Sequence, residues 1–396
     1  MNRVSIFGFT GSIGTQALSV IEKYPSKFDL DVLVCNQNIK LAVELIKKHG
    51  PKNVFVTDSK ARSEIMASCC SEVNFFDSMH SLRNYLKENK SDIYLSAISS
   101  FDCIDLTIDA AKSGKKLLLA NKEALVVYGK HIMHECKQAQ TEVIPIDSEH
   151  FSLFTALKNK DSSDVSKVYL TASGGPFVGQ KLDELHDKTP EEALKHPNWD
   201  MGAKISIDSA TLVNKCFELI EAKYLFSLEP ELLDIMIHRQ SIIHSMLEFK
   251  DGSAEAHMSK PSMIIPLAYG LLGEYSDNVR KDFSLDLLDG NIELSLEQFP
   301  EDRNKLRELT LDVMKSEDNS GLIFATLNDI AVKKFLNNEI KFGEIYKLIL
   351  DNYYSIEKKE INSIQECKSD NKCPDCNYEI KENSKFCRMC GKFPIN

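Results

Sequence analysis

The sequence predicts an α/β protein of several units, led by a doubly wound parallel sheet. Three observations carry that expectation. Over residues 1–146, short continuous apolar runs alternate with amphipathic stretches, the pattern of strands buried on both faces between crossover helices. A glycine loop, "GFTGSIG", joins the first apolar run to the first helical one. The length of 396 residues exceeds what one ordinary core organises.

The elements follow in order. "VSIF", "LDVLVC", "NVFVT", "DIYLSAI", "KLLLANK" and "EVIPID" read as strands, with helices at "TQALSVIEKY" and "IKLAVELIKKH". Residues 1–146 are thus expected to form a Rossmann-like, nucleotide-binding domain. From Asp147 the texture changes. "VSKVYLTASGG", "LDIMIHRQSIIHSMLEF" and "SAEAHMS" suggest a mixed sheet, and "SATLVNKCFELIEAKYLF" suggests one long helix. Residues 147–273 are read as a central α+β catalytic domain. "TPEE", Thr189 to Glu192, is a capping-box start with proline at the first helical position. Residues 274–300 read as a connecting segment, 301–357 as a C-terminal α-helical domain, and 358–372 as a polar linker. Residues 373–393 read as a zinc-ribbon-like knob.

That knob rests on cysteine spacing. Of eleven cysteines, most are scattered and read as reduced, buried residues. Cys373, Cys376, Cys387 and Cys390 form two Cys-x-x-Cys pairs. This spacing favours one structural Zn²⁺ held by thiolates over disulfides. A segment of about twenty residues cannot bury an adequate core without such a staple.

Composition excludes several classes. Hydrophobic content of 43% and charged content of 27% are those of a soluble globular protein. A net charge of -11 argues against nucleic-acid binding. The longest apolar run, "IIPLAYGLLG", is about half of what crosses a bilayer. "MNRVSIFGF" enters a strand with no signal-peptide core, so a cytoplasmic location is expected.

Candidate site residues fall into two groups. Gly8, Gly11 and Gly14 lie between a strand and a helix, where backbone N–H groups and the helix dipole receive a pyrophosphate. The second strand ends in Asn36, Gln37 and Asn38 with no acid, and Lys40 follows. A neutral end tolerates a 2′-phosphate, so NADP is expected over NAD. Further on, "PIDSEH" sets Asp147 and Glu149 two residues apart, on one side of an extended chain. Two carboxylates there can chelate a hard cation, Mg²⁺ or Mn²⁺, although two solvated acids would read the same. On the long helix, Asn214, Lys215 and Glu218 share a face. Glu218 can complete a metal site while Asn214, Lys215 and Ser209 bind an anion; an exposed ion pair is the plainer reading. "TASGGPF" offers an anion loop at Ser173. "HPNWDMG" puts the single tryptophan, Trp199, beside His196 and Met201 in a stretch that reads as a lid.

Together "GFTGSIGTQALSVI", "LANKEALV", "PIDSEH", "TASGGPF", "HPNWDMGAKISIDSATLVNKCFELIEA" and "IHRQSIIHSMLEFKDGS" closely resemble the 1-deoxy-D-xylulose 5-phosphate reductoisomerase family, from residue 1 to about 357. The resemblance implies a cytosolic or plastid homodimer. It implies conversion of a phosphorylated sugar to 2-C-methyl-D-erythritol 4-phosphate with NADPH and Mg²⁺, Mn²⁺ or Co²⁺. It implies Asp147, Glu149 and Glu218 as metal ligands, and Lys122 and Ser148, with Glu149, at the substrate's keto-hydroxy end. Ser173, Ser209, Asn214 and Lys215 would hold the phosphate with His196 alongside. Thr10, Gly11, Ser12, Ile13, Asn36, Gln37, Asn38, Asn121, Glu123 and Gly202 fall at NADPH-contact positions. Trp199 and Met201 would sit on a flap that closes over the substrate.

The chain departs from the family pattern at Arg239, Cys216, Ser262, Ile264, Asn36 and Asp329, where proline, glycine, aspartate, arginine, glycine and glutamate are usual. The knob is also foreign to that pattern. Two other readings follow: a paralogue reducing another phosphorylated hydroxy-ketone, suggested by Ser262 and Ile264, and a binding protein working through the knob. The retained metal, phosphate and cofactor residues weigh against the last.

Overall fold

The computed structural model describes residues 1–69, 72–98, 103–199, 201–273, 284–285, 293–360, 371–372 and 379–380. Cys373, Cys376, Cys387 and Cys390 lie outside the described residues.

The alternating N-terminal pattern folds as expected. Strands β1 (Asn2–Phe7), β2 (Phe28–Cys35), β3 (Asn53–Val56), β4 (Asn74–Phe75), β5 (Ile93–Ser96), β6 (Lys116–Leu119) and β7 (Glu142–Pro145) form a seven-stranded sheet. Its order is β4-β3-β2-β1-β5-β6-β7, parallel throughout. Val4 and Ile6 enter the core on one face and Phe7 that on the other, which is why the strand reads as a continuous apolar run. The strand order reverses between β1 and β5, and a ligand crevice opens there at the strands' C-terminal ends. Helix α1 (Ser12–Lys23) starts beside it.

The second sheet has the order β11-β10-β8-β9-β12, built from β8 (Val165–Ala172), β9 (Leu233–Ile237), β10 (Ile243–Phe249), β11 (Ala254–Met258) and β12 (Glu297–Gln298). Strands β8 and β9 are parallel and the other pairs antiparallel. Two residues of the expected connecting segment thus belong to the sheet: Glu297 pairs with Ile237 and Gln298 with Met236.

The predicted single helix "SATLVNKCFELIEAKYLF" is in fact two, α9 (Ala203–Ala210) and α10 (Val213–Phe226). Leu212 between them has φ +65°, in the left-handed region, which costs a non-glycine residue about 1–2 kcal/mol. Tertiary bonds offset that cost. The freed Thr211 carbonyl accepts from Tyr346 Oη at 3.0 Å, 135 positions away. No local pattern in the sequence signals such a break.

Helices α12 (Asn304–Lys315), α13 (Ser320–Leu336) and α14 (Phe342–Tyr353) divide the long C-terminal helical pattern. Leu309, Phe324 and Ile345 from them share one core with Leu170 of β8 and Phe217 of α10. Helix α11 (Ile264–Leu272) instead packs on the N-terminal sheet through Leu267, Ala268 and Leu271. Asn371–Lys372, at the end of the expected linker, pairs antiparallel with Glu379–Ile380 of the expected knob. Among the described residues, no helix is long and apolar enough to cross a membrane.

Candidate active site

The two sheets and the start of α9 enclose a cavity of about 660 Å³. Helix α6 (Lys122–Ala139) begins at its floor, with Asn121 as the capping residue, its Oδ1 accepting from Ala124 N–H at 3.1 Å. The cap fixes where Lys122 leaves the strand β6 side.

Asp147 and Glu149 do converge, but not as alternate residues of an extended chain. Asp147 is the N-cap of α7 (Ser148–Leu157), accepting from Glu149 N–H at 3.2 Å, and Glu149 is already helical. A strand-to-helix turn folds the two carboxylates together. Ligand oxygens of Asp147, Glu149 and Glu218 all lie within 4.8 Å of one another. Glu218 is not on a solvated face: it is 1% exposed and Lys215 is 4% exposed, which overturns the plain ion-pair reading of the helix.

Two ammonium groups bridge the three acids. Lys122 Nζ donates to Asp147 and, at 2.9 Å, to Glu218 Oε1. Lys215 Nζ donates to Glu149 Oε1 at 2.6 Å and Glu218 Oε2 at 2.5 Å. Asn214 Nδ2 adds a bond to Glu218 Oε1 at 2.6 Å, and Ser148 Oγ donates to Glu149 Oε2 at 2.5 Å. Burial alone would strip Lys122 of its proton, yet Asp147, Glu218, Glu221 and Glu149 outweigh it and raise its pKa well above the usual value. Burial likewise opposes the charge on Asp147, but Lys122, His150 and Lys215 hold its carboxyl well below the usual range. At Glu218, burial and the adjacent Asp147 and Glu149 win over the two lysines and lift the carboxyl. Three hard oxygen donors of which one resists ionisation fit a divalent cation of the Mg²⁺ or Mn²⁺ type.

The Ser173 loop, expected to bind an anion, lies beside this cluster. Gly175, with φ +66°, packs so closely on α9 that a Cβ there would meet Ser209 O at 2.8 Å, and this brings Ser173 and Ser209 to one end of the cavity. Ser173 Oγ accepts from Gly175 N–H at 3.2 Å and lies 3.0 Å from His196 Nε2. His196 Nδ1 accepts from the N–H groups of Asn198 (3.2 Å) and Trp199 (3.0 Å), so the neutral ring carries its proton on Nε2 and donates to Ser173. Burial, with Lys215 adding to it, pushes His196 down to about 4. Trp199, Met201 and Gly202 line the same cavity.

The glycine loop reaches the other end through Gly11, Ser12 and Ile13. Helix α1 starts with no side-chain cap, leaving its first N–H groups for a ligand. Thr10, Asn36, Gln37, Asn38 and Asn121 do not line the cavity. Asn38 caps α2 (Ile39–His49), Asn36 accepts from Thr57 Oγ1 at 2.8 Å, and Gln37 Nε2 donates to Asp58 Oδ2 at 3.2 Å. The neutral end of β2 thus has an acid beside it from the next strand's loop.

Some residues carry more than their sequence context indicated. Asn198 donates to Arg239 O and Ser241 Oγ, both at 2.8 Å, pinning the backbone before Trp199 to the β9–β10 turn. Arg239 in turn pairs with Glu297 of β12 at 2.5 and 2.8 Å. Ser262 lines the cavity and bonds Ile264 N–H at the start of α11. Cys216 is buried against α12, its thiol pushed up to about 12 by that burial. Lys204, Asp208, His150 and His244 also belong to the site region; the one available signal was the i, i+4 spacing of Lys204 and Asp208.

Three family models match in chain order: "1-deoxy-D-xylulose 5-phosphate reductoisomerase" over residues 4–129, and its two C-terminal domain models over 143–226 and 258–372. The chain belongs to this reductoisomerase family. The family member from Vesicomyosocius okutanii is 36% identical over 92% of this chain and 95% of its own. That from Shouchella clausii is 37% identical over 88% and 92%. The reductoisomerase structure from Zymomonas mobilis in complex with NADPH superposes with a TM-score of 0.80 at 30% identity, covering 92% of this chain and 94% of that one. A reductoisomerase in complex with NADPH, fosmidomycin and magnesium gives 0.79 at 29% identity, covering 90% and 91%.

The cavity also sets a pH dependence of stability. His244 is 2% exposed and burial pushes it down to about 4. An unfolded histidine titrates near 6.5, so between pH 6.5 and 4 the unfolded chain binds a proton that the folded chain refuses. Stability therefore falls on acidification through that window, by about 2 kcal/mol at pH 5 from this residue. Urea unfolding at pH 7 and pH 5 measures the drop, and His244→Asn is expected to shrink it.

Proposed function

We propose that the protein is an NADPH- and divalent-metal-dependent reductoisomerase converting 1-deoxy-D-xylulose 5-phosphate to 2-C-methyl-D-erythritol 4-phosphate, in the non-mevalonate isoprenoid route. The observation that carries this is the convergence of Asp147, Glu149 and Glu218 within 4.8 Å, between an anion loop and an uncapped glycine-loop helix. When bound, a divalent cation supplies Lewis acidity at the substrate's keto-hydroxy end and NADPH supplies hydride.

Asp147, Glu149 and Glu218 would hold the cation, Mg²⁺, Mn²⁺ or Co²⁺. Lys122 now neutralises Asp147 and Glu218; with those carboxylates engaged elsewhere, its ammonium turns to a substrate oxygen, with Ser148 beside it. Lys215 and Asn214 swing from Glu149 and Glu218 to the phosphate, joined by Ser173 and Ser209. Because Ser173 Oγ already accepts from Gly175 and His196, its own proton is left to donate to a phosphate oxygen. His196 ties that phosphate contact to the backbone of Asn198 and Trp199, so phosphate binding energy closes the Trp199–Met201 flap and excludes water. The N–H groups of Ser12 and Ile13 receive the pyrophosphate, while Gly11, whose N–H donates to Gly8 O at 3.0 Å, lets the loop approach it closely. Thr10, Asn36, Gln37, Asn38, Asn121, Glu123 and Gly202 complete the cofactor contacts, with NADP preferred over NAD. A cytoplasmic homodimer is part of this reading.

The test is NADPH oxidation that requires 1-deoxy-D-xylulose 5-phosphate, stops in EDTA and returns with Mg²⁺ or Mn²⁺; full turnover in chelator would sink it. Complementation of a strain lacking the enzyme separates this substrate from another phosphorylated hydroxy-ketone. Cys373, Cys376, Cys387 and Cys390 are proposed to bind one structural Zn²⁺ that takes no part in turnover. Elemental analysis is expected to find about one zinc per chain, lost in a Cys373→Ser/Cys376→Ser variant. Removing residues 367–396 is expected to leave kcat/KM unchanged.

A further inference from the structure

Lys204, in the first turn of α9 just past the flap, sits among three carboxylates from three helices. Its Nζ lies 3.1 Å from Glu123 Oε1 on α6, 2.8 Å from Asp208 Oδ2 on α9 and 3.3 Å from Asp329 Oδ1 on α13. The Phe217 ring of α10 covers the ammonium from 5.6 Å. Asn328 Nδ2 donates to Asp208 Oδ1 at 2.7 Å and fixes that carboxylate. Asp208 is 3% and Glu123 7% exposed, and Glu123, Lys204 and Asp208 all stand in the cavity wall. One cation against three acids leaves the group with excess negative charge. Burial, with Glu123 and Asp208, lifts the Asp329 carboxyl to about 6 against the pull of Lys204, and Asp329 is still ionised at pH 7.5.

Lys204 and Asp329 keep 29% and 34% of their side-chain surface exposed, so the excess is part-buried at the cavity wall, where it is costly unless something uses it. The cavity runs from the uncapped start of α1 to Lys122 and Asp147, and Glu123 adjoins Lys122 in sequence. A dinucleotide with its pyrophosphate at α1 must bring its reactive ring to the substrate end, past this wall. When hydride leaves with its electron pair, the neutral dihydronicotinamide becomes a cation. We propose that the Glu123–Asp208–Asp329 cluster, metered by Lys204, is a positioning and electrostatic device that stabilises the oxidised, cationic nicotinamide relative to the reduced one. It promotes hydride donation by preorganised charge, and it rests on the cofactor reading above.

The experiment measures Kd for NADP⁺ and for NADPH separately, on the full-length protein at pH 7.5 without substrate. Glu123→Gln and Asp329→Asn are each expected to raise the ratio Kd(NADP⁺)/Kd(NADPH) by roughly three- to tenfold. Lys204→Met, which removes the compensating cation, is expected to lower it. Asp329→Glu keeps the charge and is expected to keep the wild-type ratio. A merely structural role would weaken both nucleotides together and leave the ratio unmoved; that result, or a shift of the same sign in Lys204→Met and Asp329→Asn, overturns the inference. If Lys204→Met does not fold, the Asp329→Asn and Asp329→Glu pair decides alone. Failure of the wild-type chain to bind either nucleotide removes the cofactor reading, and this inference with it.

Discussion

Glu218→Gln is expected to lower metal-dependent turnover by about a thousandfold, roughly 4 kcal/mol of barrier, while NADPH affinity stays within a factor of about two. The reason is geometric. Glu218 is the one acid of the three that comes from α10, and it is the meeting point of Lys122, Lys215 and Asn214. A glutamine keeps the shape and the packing but removes one of three hard anionic donors. It also presents an amide N–H₂ where an ammonium or a cation expects an acceptor. Calorimetric titration with Mn²⁺ is expected to show weakened metal binding in parallel with lost kcat. The glycine-loop end of the cavity makes no bond to Glu218, so NADPH titration is the control. Unchanged turnover would refute the ligand assignment.

The second large effect is at the opposite end of the cavity. Gly14→Ala is expected to weaken NADPH binding by about a hundredfold or more and to destabilise the fold by about 1–3 kcal/mol. A Cβ at position 14 would lie 2.3 Å from Gly8 O and 2.5 Å from Phe9 Cα. Both are backbone atoms, so no side chain can rotate away. The loop that carries Gly11, Ser12 and Ile13 must move, and with it the N–H groups proposed to receive the pyrophosphate. Fluorescence titration with NADPH and thermal unfolding measure the two effects. Wild-type affinity in a folded Gly14→Ala protein would show that the loop does not hold the cofactor.

Legibility in the sequence followed the range of the interactions involved. The parallel sheet was readable because strands buried on both faces leave a continuous apolar signature. The "TPEE" start was readable because a capping box closes within four residues; Thr189 Oγ1 accepts from Glu192 N–H and Glu192 returns the bond. The glycine loop was readable for the same local reason. The acids at 147, 149 and 218 were named from motif and spacing, yet the geometry first offered for the pair, an extended chain, was wrong. Whether a strand ends before or after Asp147 depends on α7 packing, which i, i+2 spacing does not report.

The amino-acid sequence by itself determined the doubly wound sheet, the identity of the metal and phosphate candidates and the family to which the chain belongs. These are written in periodicity, short caps and motif order, all properties of near neighbours along the chain. Only the tertiary structure decided that "SATLVNKCFELIEA" breaks at Leu212, that Glu297 and Gln298 extend the second sheet, and that Lys204 meets acids on three different helices. Each depends on a partner far away in sequence: Tyr346 for the Thr211 carbonyl, β9 for β12, and Glu123 and Asp329 for Lys204. Side-chain periodicity records which face of an element is buried; it carries no record of which distant group will satisfy a carbonyl or balance a charge.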